Sequence, residues 1–261
     1  MDLGLKGKNA AITGSSQGIG YAIASSLADE GCNVALSARN QERLDQAVAD
    51  MEAKGVKAVG IICDLSTEAG CGEFIEKAAA ELGGLDILVN NVGGMIPGTI
   101  DSVDDALWDT ILNTNLMSFV HTTKHAIPHI KKSGAGRVLN VSGVTGKQLM
   151  PGALTTTIPN TAIHGFAKIM AAELGPDNIT VNTICPGFTN TESWGPRADG
   201  MAKMKGITAD QVRDGVSGMT LLGRWAEPQE IGDAAAWMVS GKNSYQTGTV
   251  VEVCGGYTKY I

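Results

Sequence analysis

The sequence is poor in aromatic residues and has no long apolar run. Phe, Trp and Tyr make up 5 % of its 261 residues, and no apolar stretch approaches the ~20 residues that a membrane-spanning helix requires. The opening residues, MDLGLKGK, contain no apolar signal core. We therefore expect no membrane span, no secretory signal and no membrane partner.

Clustered positive charge is absent as well. The chain has 20 Lys and Arg against 27 Asp and Glu, a formal charge of −7, and no run rich in Lys or Arg. This balance favours solubility and argues against a general nucleic-acid-binding surface. We expect no nucleic-acid partner.

Cysteine pairs and metal-ligand spacings are also missing. The cysteines are Cys32, Cys63, Cys71, Cys185 and Cys254. Their number is odd, and the sequence contains no C-x-x-C pair and no His/Cys cluster. We interpret them as buried, reduced thiols of a cytoplasmic protein and predict no metal site.

The sequence is rich in glycine and alternates short apolar runs with helical patterns. It has 34 glycines and 43 % hydrophobic residues. Most of the runs are continuously apolar, as strands covered on both faces are. Their β-α order predicts one α/β domain of the Rossmann type over 1–261, with a doubly wound, seven-stranded parallel sheet. The predicted strands are residues 9–13, 33–37, 57–62, 85–89, 136–141, 178–184 and 249–253.

Residues 188–219 depart from this rhythm. The segment is polar, contains several Gly and Met residues, and follows a predicted strand. An insertion of this length is often a lid over a functional site; a plain helical hairpin on the surface is the alternative. Its Trp194, Met201, Met204 and Met219 suggest an adaptable pocket for a small apolar substrate.

A glycine-rich turn joins the first predicted strand to the first helix. It contains Gly14, Gly18 and Gly20. A turn this tight needs positive φ, and side chains there would block a pyrophosphate. Backbone N–H groups at the helix N-terminus can then bind the anion. The turn predicts a dinucleotide site.

Several motifs, in order along the chain, resemble those of the short-chain dehydrogenase/reductase family. TGSSQGIG (13–20) is similar to its T-G-x-x-x-G-x-G signature, and CDLS, NNVGG, NTNL, NVSG and CPGFTNT are similar to its later motifs. The resemblance implies an oxidoreductase, commonly a homotetramer, with a homodimer as the alternative, and active-site roles for Asn115 and Ser142. It implies that the cofactor-binding residues are Gly14, Ser16, Gln17, Gly18, Ile19, Gly20, Arg39, Asp64, Leu65, Asn91, Val92, Gly93, Pro186, Gly187, Thr189 and Thr191.

The end of the second predicted strand indicates which nicotinamide cofactor is preferred. In such folds an acidic residue there binds the ribose 2′-OH of NAD, whereas an arginine accommodates the 2′-phosphate of NADP. Ala38 stands at the acidic position and Arg39 follows it. A guanidinium can donate two parallel hydrogen bonds to a phosphate. We predict that NADP(H) is preferred over NAD(H), although Gln17 adds no positive charge in the glycine loop.

The family's catalytic Y-x-x-x-K pair does not occur anywhere in this sequence. Counting back from GFAKIMAAELG places Thr156 at the tyrosine position and Asn160 at the lysine position; counting forward from Ser142 points to Thr155 instead. Free Tyr titrates near ~10, and an aliphatic hydroxyl is far less acidic. Because Pro159 lacks an N–H, we predict a helix that begins near 155–158, in which a threonine is the N-cap.

Two functions therefore remain open. The first is an NADP(H)-dependent oxidoreductase acting on an alcohol/carbonyl pair of a small apolar substrate. In it Ser142 polarises the carbonyl and Asn115 holds a water, while the proton comes from Lys147, His164 or water. The second is a nucleotide-binding scaffold without redox activity, either a lyase, isomerase or cyclase that uses Ser142 and Thr156, or a silent subunit or sensor.

Overall fold

Seven parallel strands form one sheet in the order β3-β2-β1-β4-β5-β6-β7, in a computed structural model that describes residues 1–150 and 152–259. Neighbouring strands are all parallel, as predicted. The strands are β1 (Asn9–Ile12), β2 (Asn33–Ala38), β3 (Ala58–Ile62), β4 (Ile87–Asn90), β5 (Arg137–Val141), β6 (Thr180–Pro186) and β7 (Val250–Val253).

Helices cover both faces of this sheet. They are α1 (Gly18–Asp29), α2 (Gln41–Glu52), α3 (Glu68–Leu82), α4 (Asp105–Leu112), α5 (Ser118–Ile130), α6 (Leu154–Leu174), α7 (Trp194–Lys205), α8 (Ala209–Ser217) and α9 (Pro228–Val239). Helices α1, α2 and α9 share one buried apolar cluster with the sheet, and α3, α5 and α6 share the other. Adjacent strand residues belong to opposite clusters, Ala11 to one and Ile12 to the other, because side chains alternate between faces of a strand. All five cysteines are buried and free, as expected.

Helix α6 begins differently from the prediction. Its N-cap is Ala153, without a side-chain cap, so the prediction of a threonine cap is wrong. The Ala153 carbonyl accepts hydrogen bonds from the backbone of Thr156 and Thr157, and the Thr156 hydroxyl donates to the same oxygen at 3.0 Å. The helix therefore starts at Leu154, and Pro159 lies inside it rather than in its first turn. The proline still removes only one helical hydrogen bond, since it has no N–H to donate.

Candidate active site

The carboxyl ends of β1, β4, β5 and β6 lead into loops that line two adjoining cavities of about 340 and 700 Å³. The strand order reverses between β1 and β4, which is where ligands bind in open α/β sheets. Gly14, Asn91 and Asn115 line both cavities. The four predicted catalytic residues (Asn115, Ser142, Thr156 and Asn160) and all of the predicted cofactor-binding residues line one cavity or both, so the fold brings these residues together in a single cleft.

The glycine loop fits a phosphate by its backbone. Gly14 and Gly18 have φ of 61° and 60°, the left-handed region that glycine enters without strain. A Cβ on Gly20 would lie 2.4 Å from the Gly14 carbonyl oxygen and 2.5 Å from Asn91 Nδ2. The N-cap of α1, Gln17, makes no side-chain hydrogen bond to the helix, whose first turn has no acidic residue. Backbone donors at this N-terminus are therefore left for an anion.

Two arginines lie at the far end of the larger cavity. Arg39 is exposed and lines this cavity with Asp64. Arg43 also lines it and donates to Gln17 Oε1 at 2.5 Å. The hydroxyl and backbone N–H of Ser66 hold the pKa of Asp64 below its usual value, and Arg39 contributes to the lowering. The sequence analysis missed Arg43, which lies in the first turn of α2, because Arg39 precedes that helix and the two residues share no helical spacing.

Asn115 lies in a π-helical segment, Asn113–Met117, between α4 and α5. Such segments are frequent at functional sites. Its Oδ1 accepts from the Gly94 N–H at 3.0 Å, and its Nδ2 donates to the Gly94 carbonyl at 2.7 Å. Both ends of the amide are thus engaged with one backbone residue. Asn115 therefore holds the loop after β4 through its side-chain amide.

Ser142 follows β5 and joins a group of three side chains. Its Oγ is 3.0 Å from His164 Nε2 and 2.9 Å from Cys185 Sγ. Burial is the main reason that the pKa of His164 is lowered, and Lys147 adds to the effect. Burial raises the pKa of the Cys185 thiol to about 11. The serine hydroxyl therefore lies between the cavity and two groups, the half-buried His164 ring and the buried Cys185 thiol, whose shifted pKa values favour their neutral forms.

The two residues at the expected Tyr and Lys positions are held by neutral hydrogen bonds. Thr156 lines the cavity, whereas Thr155 is buried and its hydroxyl donates to the Ile96 carbonyl. Of the two sequence alignments, the geometry therefore matches the one that places Thr156 in the site. Asn160 Nδ2 donates to Thr145 Oγ1 at 2.9 Å. Neither side chain is an acid or a cation.

The Lys147 side chain forms an ion pair instead of contacting Ser142. Its Nζ is 2.5 Å from Glu252 Oε1 on β7. The cavity lining that the structure describes includes Ser142 and Thr145 but not Lys147. Of the two candidate proton-donating side chains, the His164 ring lies within hydrogen-bond distance of the cleft residue Ser142, whereas the Lys147 ammonium is paired with Glu252.

An aromatic wall closes the smaller cavity, and of its three rings the sequence analysis named only Trp194. Phe188, Trp194 and Tyr257 line it together with Met95 and Met150. The ring centroid of Phe188 lies 5.0 Å from that of Tyr257 and 5.8 Å from that of Trp194, both edge-on. The Tyr257 hydroxyl contacts Met150 Sδ at 3.9 Å. No local signal links Phe188 and Tyr257, since they follow two different strands, β6 and β7.

The methionines predicted for this pocket lie elsewhere. Met201 packs in a small cluster between α7 and α8, and Met219 is half exposed. The side chain of Met204 lies outside what the structure describes. Of the four apolar residues named from segment 188–219, only Trp194 lines the described cavity.

Membrane spans and metal clusters do not occur among the described residues. Within 1–150 and 152–259, no helix is long and apolar enough to cross a bilayer. In the same part of the chain, no group of three or more His, Cys, Asp or Glu residues is placed to hold a metal ion.

Comparison with known proteins identifies relatives along the whole chain. Residues 14–258 match the family model described as enoyl-(acyl carrier protein) reductase. The chain is 33 % identical to human dehydrogenase/reductase SDR family member 4 over 97 % of its length and 88 % of the relative's. It is 31 % identical to the granaticin polyketide synthase putative ketoacyl reductase 1 of Streptomyces violaceoruber, covering 96 % of this chain and 93 % of that protein.

A solved structure matches the fold over its entire length. L-sorbose reductase from Gluconobacter frateurii, in a complex with NADPH and L-sorbose, superposes with a TM-score of 0.96 at 31 % identity, and all of both chains is covered.

Proposed function

Because the chain belongs to the short-chain dehydrogenase/reductase family, we propose that it is an NADP(H)-dependent oxidoreductase that interconverts the alcohol and carbonyl forms of a small apolar substrate. The observation that carries the proposal is the single cleft in which a phosphate-binding glycine loop and the Ser142 hydroxyl face the same space. Relatives named as reductases support the reaction class.

The cleft has a place for each part of a dinucleotide. Gly14, Gly18 and Gly20 with the N-terminus of α1 would hold the pyrophosphate. Asp64 and Leu65 would flank the adenine, and the loops after β4 and β6 would hold the nicotinamide half. When bound, the nicotinamide supplies or accepts the hydride.

Two features of the chain from the end of β2 onward, and one solved relative, favour NADP(H). Ala38 presents no carboxylate that would repel a 2′-phosphate. Arg39 and Arg43 line the same cavity and offer two guanidinium groups. The sorbose reductase with the same fold was solved with NADPH.

The lining of the smaller cavity favours an uncharged, apolar substrate. Phe188, Trp194 and Tyr257 form its wall, and Glu192 is the only charged residue among the lining residues described. An acidic substrate would find no cation there, so its carboxylate would be desolvated without a partner. The Ser142 hydroxyl would polarise the substrate carbonyl by donating a hydrogen bond.

We also propose that 188–219 is a lid on this cavity. Trp194, the first residue of α7, lines the cavity. Helices α7 and α8 form a hairpin held by a small apolar cluster of its own, with Ala198, Ala202 and Val212 at its centre. Because this cluster is separate from the two main clusters, the hairpin can open without disturbing the sheet.

We further propose that the protein is a homotetramer or a homodimer. Several large apolar side chains are exposed on the single chain, among them Leu221 and Leu222. Apolar groups clustered at a surface favour self-association. Light scattering of the purified protein would distinguish a tetramer, a dimer and a monomer.

Calorimetric titration with NADPH and NADH tests the cofactor preference, and nicotinamide turnover with a panel of apolar ketones and alcohols tests the reaction. We expect NADPH to bind more tightly by roughly 10-fold or more, since one charge-assisted hydrogen bond contributes about 1.5–3 kcal/mol. Arg39→Ala should remove most of this preference and leave NADH affinity unchanged. Equal affinities in the wild type would contradict the assignment. NADPH binding without turnover of any panel member would favour the non-redox alternative, which the neutral Thr156 and Asn160 would suit.

A further inference from the structure

A triangle of three side chains lies behind the hydroxyl that lines the cavity. Ser142 Oγ lies 3.0 Å from His164 Nε2 and 2.9 Å from Cys185 Sγ, and Sγ is 3.3 Å from Nε2. Ser142 follows β5, Cys185 belongs to the neighbouring strand β6, and His164 lies on α6. Ser142 lines the cavity, whereas Cys185 is completely buried. The imidazole is therefore one hydroxyl away from a bound substrate.

We propose that His164 exchanges a proton with the substrate through the Ser142 hydroxyl, and so does the work of the absent tyrosine. The inference rests on the proposed oxidoreductase function. In alcohol oxidation the substrate O–H bond breaks and its proton passes to Ser142 Oγ, while the Ser142 proton passes to His164 Nε2. The hydride leaves the substrate carbon for the oxidised nicotinamide of NADP. In carbonyl reduction each transfer runs in reverse, from protonated His164 and from NADPH.

The hydrogen-bonding capacity of the triangle matches this relay. Since the pKa of Cys185 is raised to about 11, the thiol keeps its proton, and in the proposed relay it donates that proton's hydrogen bond to Ser142 Oγ. The serine hydroxyl is then free to donate to His164 Nε2, and a second lone pair of Oγ remains for the substrate. This arrangement assigns the ring proton of neutral His164 to Nδ1.

The charges around the ring favour a neutral imidazole. The groups that face it from the elements packed on α6 are Cys185 of β6, Lys147 after the turn Val144–Gly146, and Glu252 of β7. Burial chiefly lowers the pKa of His164, Lys147 lowers it further, and Glu252 opposes them. Glu252 is itself paired with Lys147. At pH 7 the ring therefore accepts a proton rather than donating one, which favours alcohol oxidation.

The direction of the pH dependence follows from this protonation state. Oxidation requires neutral His164, so kcat/KM for an alcohol should rise with pH through the His164 pKa and then level off. Reduction requires the imidazolium, so kcat/KM for a ketone should fall over the same range. Because the pKa is lowered, both changes should be centred below the ordinary histidine value.

The test compares His164→Gln with the wild type over this pH range. Glutamine can keep a hydrogen bond to Ser142 but cannot titrate. We expect kcat/KM to fall by on the order of 10² and the His164-dependent limb to disappear, while NADPH affinity stays the same. His129→Gln is the matched control, because His129 pairs with Glu76 and lines neither described cavity; its profile should equal that of the wild type.

A second measurement does not depend on turnover or on the folding of His164→Gln. NMR titration of the His164 ring in the wild type should give a pKa below the ordinary value, and Ser142→Ala should change it. Two results would overturn the relay but not the proposed function. One is a His164→Gln variant that keeps the wild-type pH profile of kcat/KM, and the other is a pH-dependent limb that disappears in Tyr257→Phe instead. A wild type that turns over no alcohol or ketone would overturn the proposed function and the relay together.

Discussion

The two ends of the cleft depend on different features of the chain. The nucleotide end is the glycine loop with the N-terminus of α1, and the reacting end is the group of side chains around Ser142. At the nucleotide end, backbone geometry decides the residues, because Gly20 has no space for a Cβ and Gly14 has positive φ. At the other end side chains decide the chemistry, and Thr156 and Asn160, which line the cavity there, are neutral. Helix α6 still packs on β6. The difference shows that the shape of one end of the cleft depends on backbone geometry, whereas the chemistry of the other end depends on side chains.

The largest effect should come from breaking the nucleotide end. In Gly20→Ala the new methyl group would lie 2.4 Å from the Gly14 carbonyl oxygen, so the loop or α1 must shift. Overpacking of this kind costs about 1–3 kcal/mol of stability, and we expect NADPH affinity to fall by on the order of 10². Calorimetry measures the affinity, and urea unfolding measures the stability.

Gly165→Ala is the matched control for that variant. Gly165 lies inside α6, and apart from the helix's own backbone no described atom would lie within 4 Å of a methyl group there. Alanine should stabilise this helix by about 0.5–1 kcal/mol and leave NADPH affinity unchanged. If Gly20→Ala binds NADPH as tightly as Gly165→Ala, backbone shape does not decide the nucleotide end.

Substitutions at the reacting end alone should raise the rate of ketone reduction, with no change at the nucleotide end. Thr156→Tyr combined with Asn160→Lys places a phenol and an ammonium one helical turn apart. At a pH where His164 is neutral, kcat/KM for ketone reduction should rise by on the order of 10². Thr156→Tyr alone should gain less, because its phenol would lack the cation. Steady-state rates at that pH are the measurement; a double variant that binds NADPH and stays inactive would show that the pocket has diverged further.

Sequence alone predicts the sheet, since continuous apolar runs and turn residues are local signals. It places the element ends less well. The apolar pattern predicts a sixth strand from residue 178, but the strand begins at Thr180. Asn178 has a φ of 58°, and this left-handed residue ends the short helical turn Gly175–Asp177 before the strand can start.

The site residues also divide into those that a local sequence pattern predicts and those that it does not. The glycine loop and Arg39 could be predicted, because their spacing follows from the shape of one βα unit. The triangle of Ser142, His164 and Cys185 could be predicted only in part, because three elements must pack before these atoms meet. Tyr257 is remote in sequence from the site motifs, yet packing against Phe188 brings it into the cavity wall. Side-chain constellations of this kind carry no local pattern.

The smallest effect concerns the region between the two ends. If 188–219 is a lid, amides of α7 and α8 should exchange with solvent faster than those of β4 and β5, and NADPH should slow them. The exchange of α9, which lies outside the hairpin and contributes no residue to either described cavity, serves as the control. Slow exchange in α7 and α8 that NADPH does not change would favour a rigid surface hairpin.

Isotope transfer tests the central claim, hydride chemistry in this cleft, most directly. NADPH carrying deuterium at the transferable position of its nicotinamide is incubated with the protein and an apolar ketone, and the alcohol is analysed by mass spectrometry. We predict that the alcohol carries the deuterium on its carbinol carbon, in wild type and at a lower rate in His164→Gln. Intact NADPH with no labelled alcohol for any ketone of the panel would contradict the account.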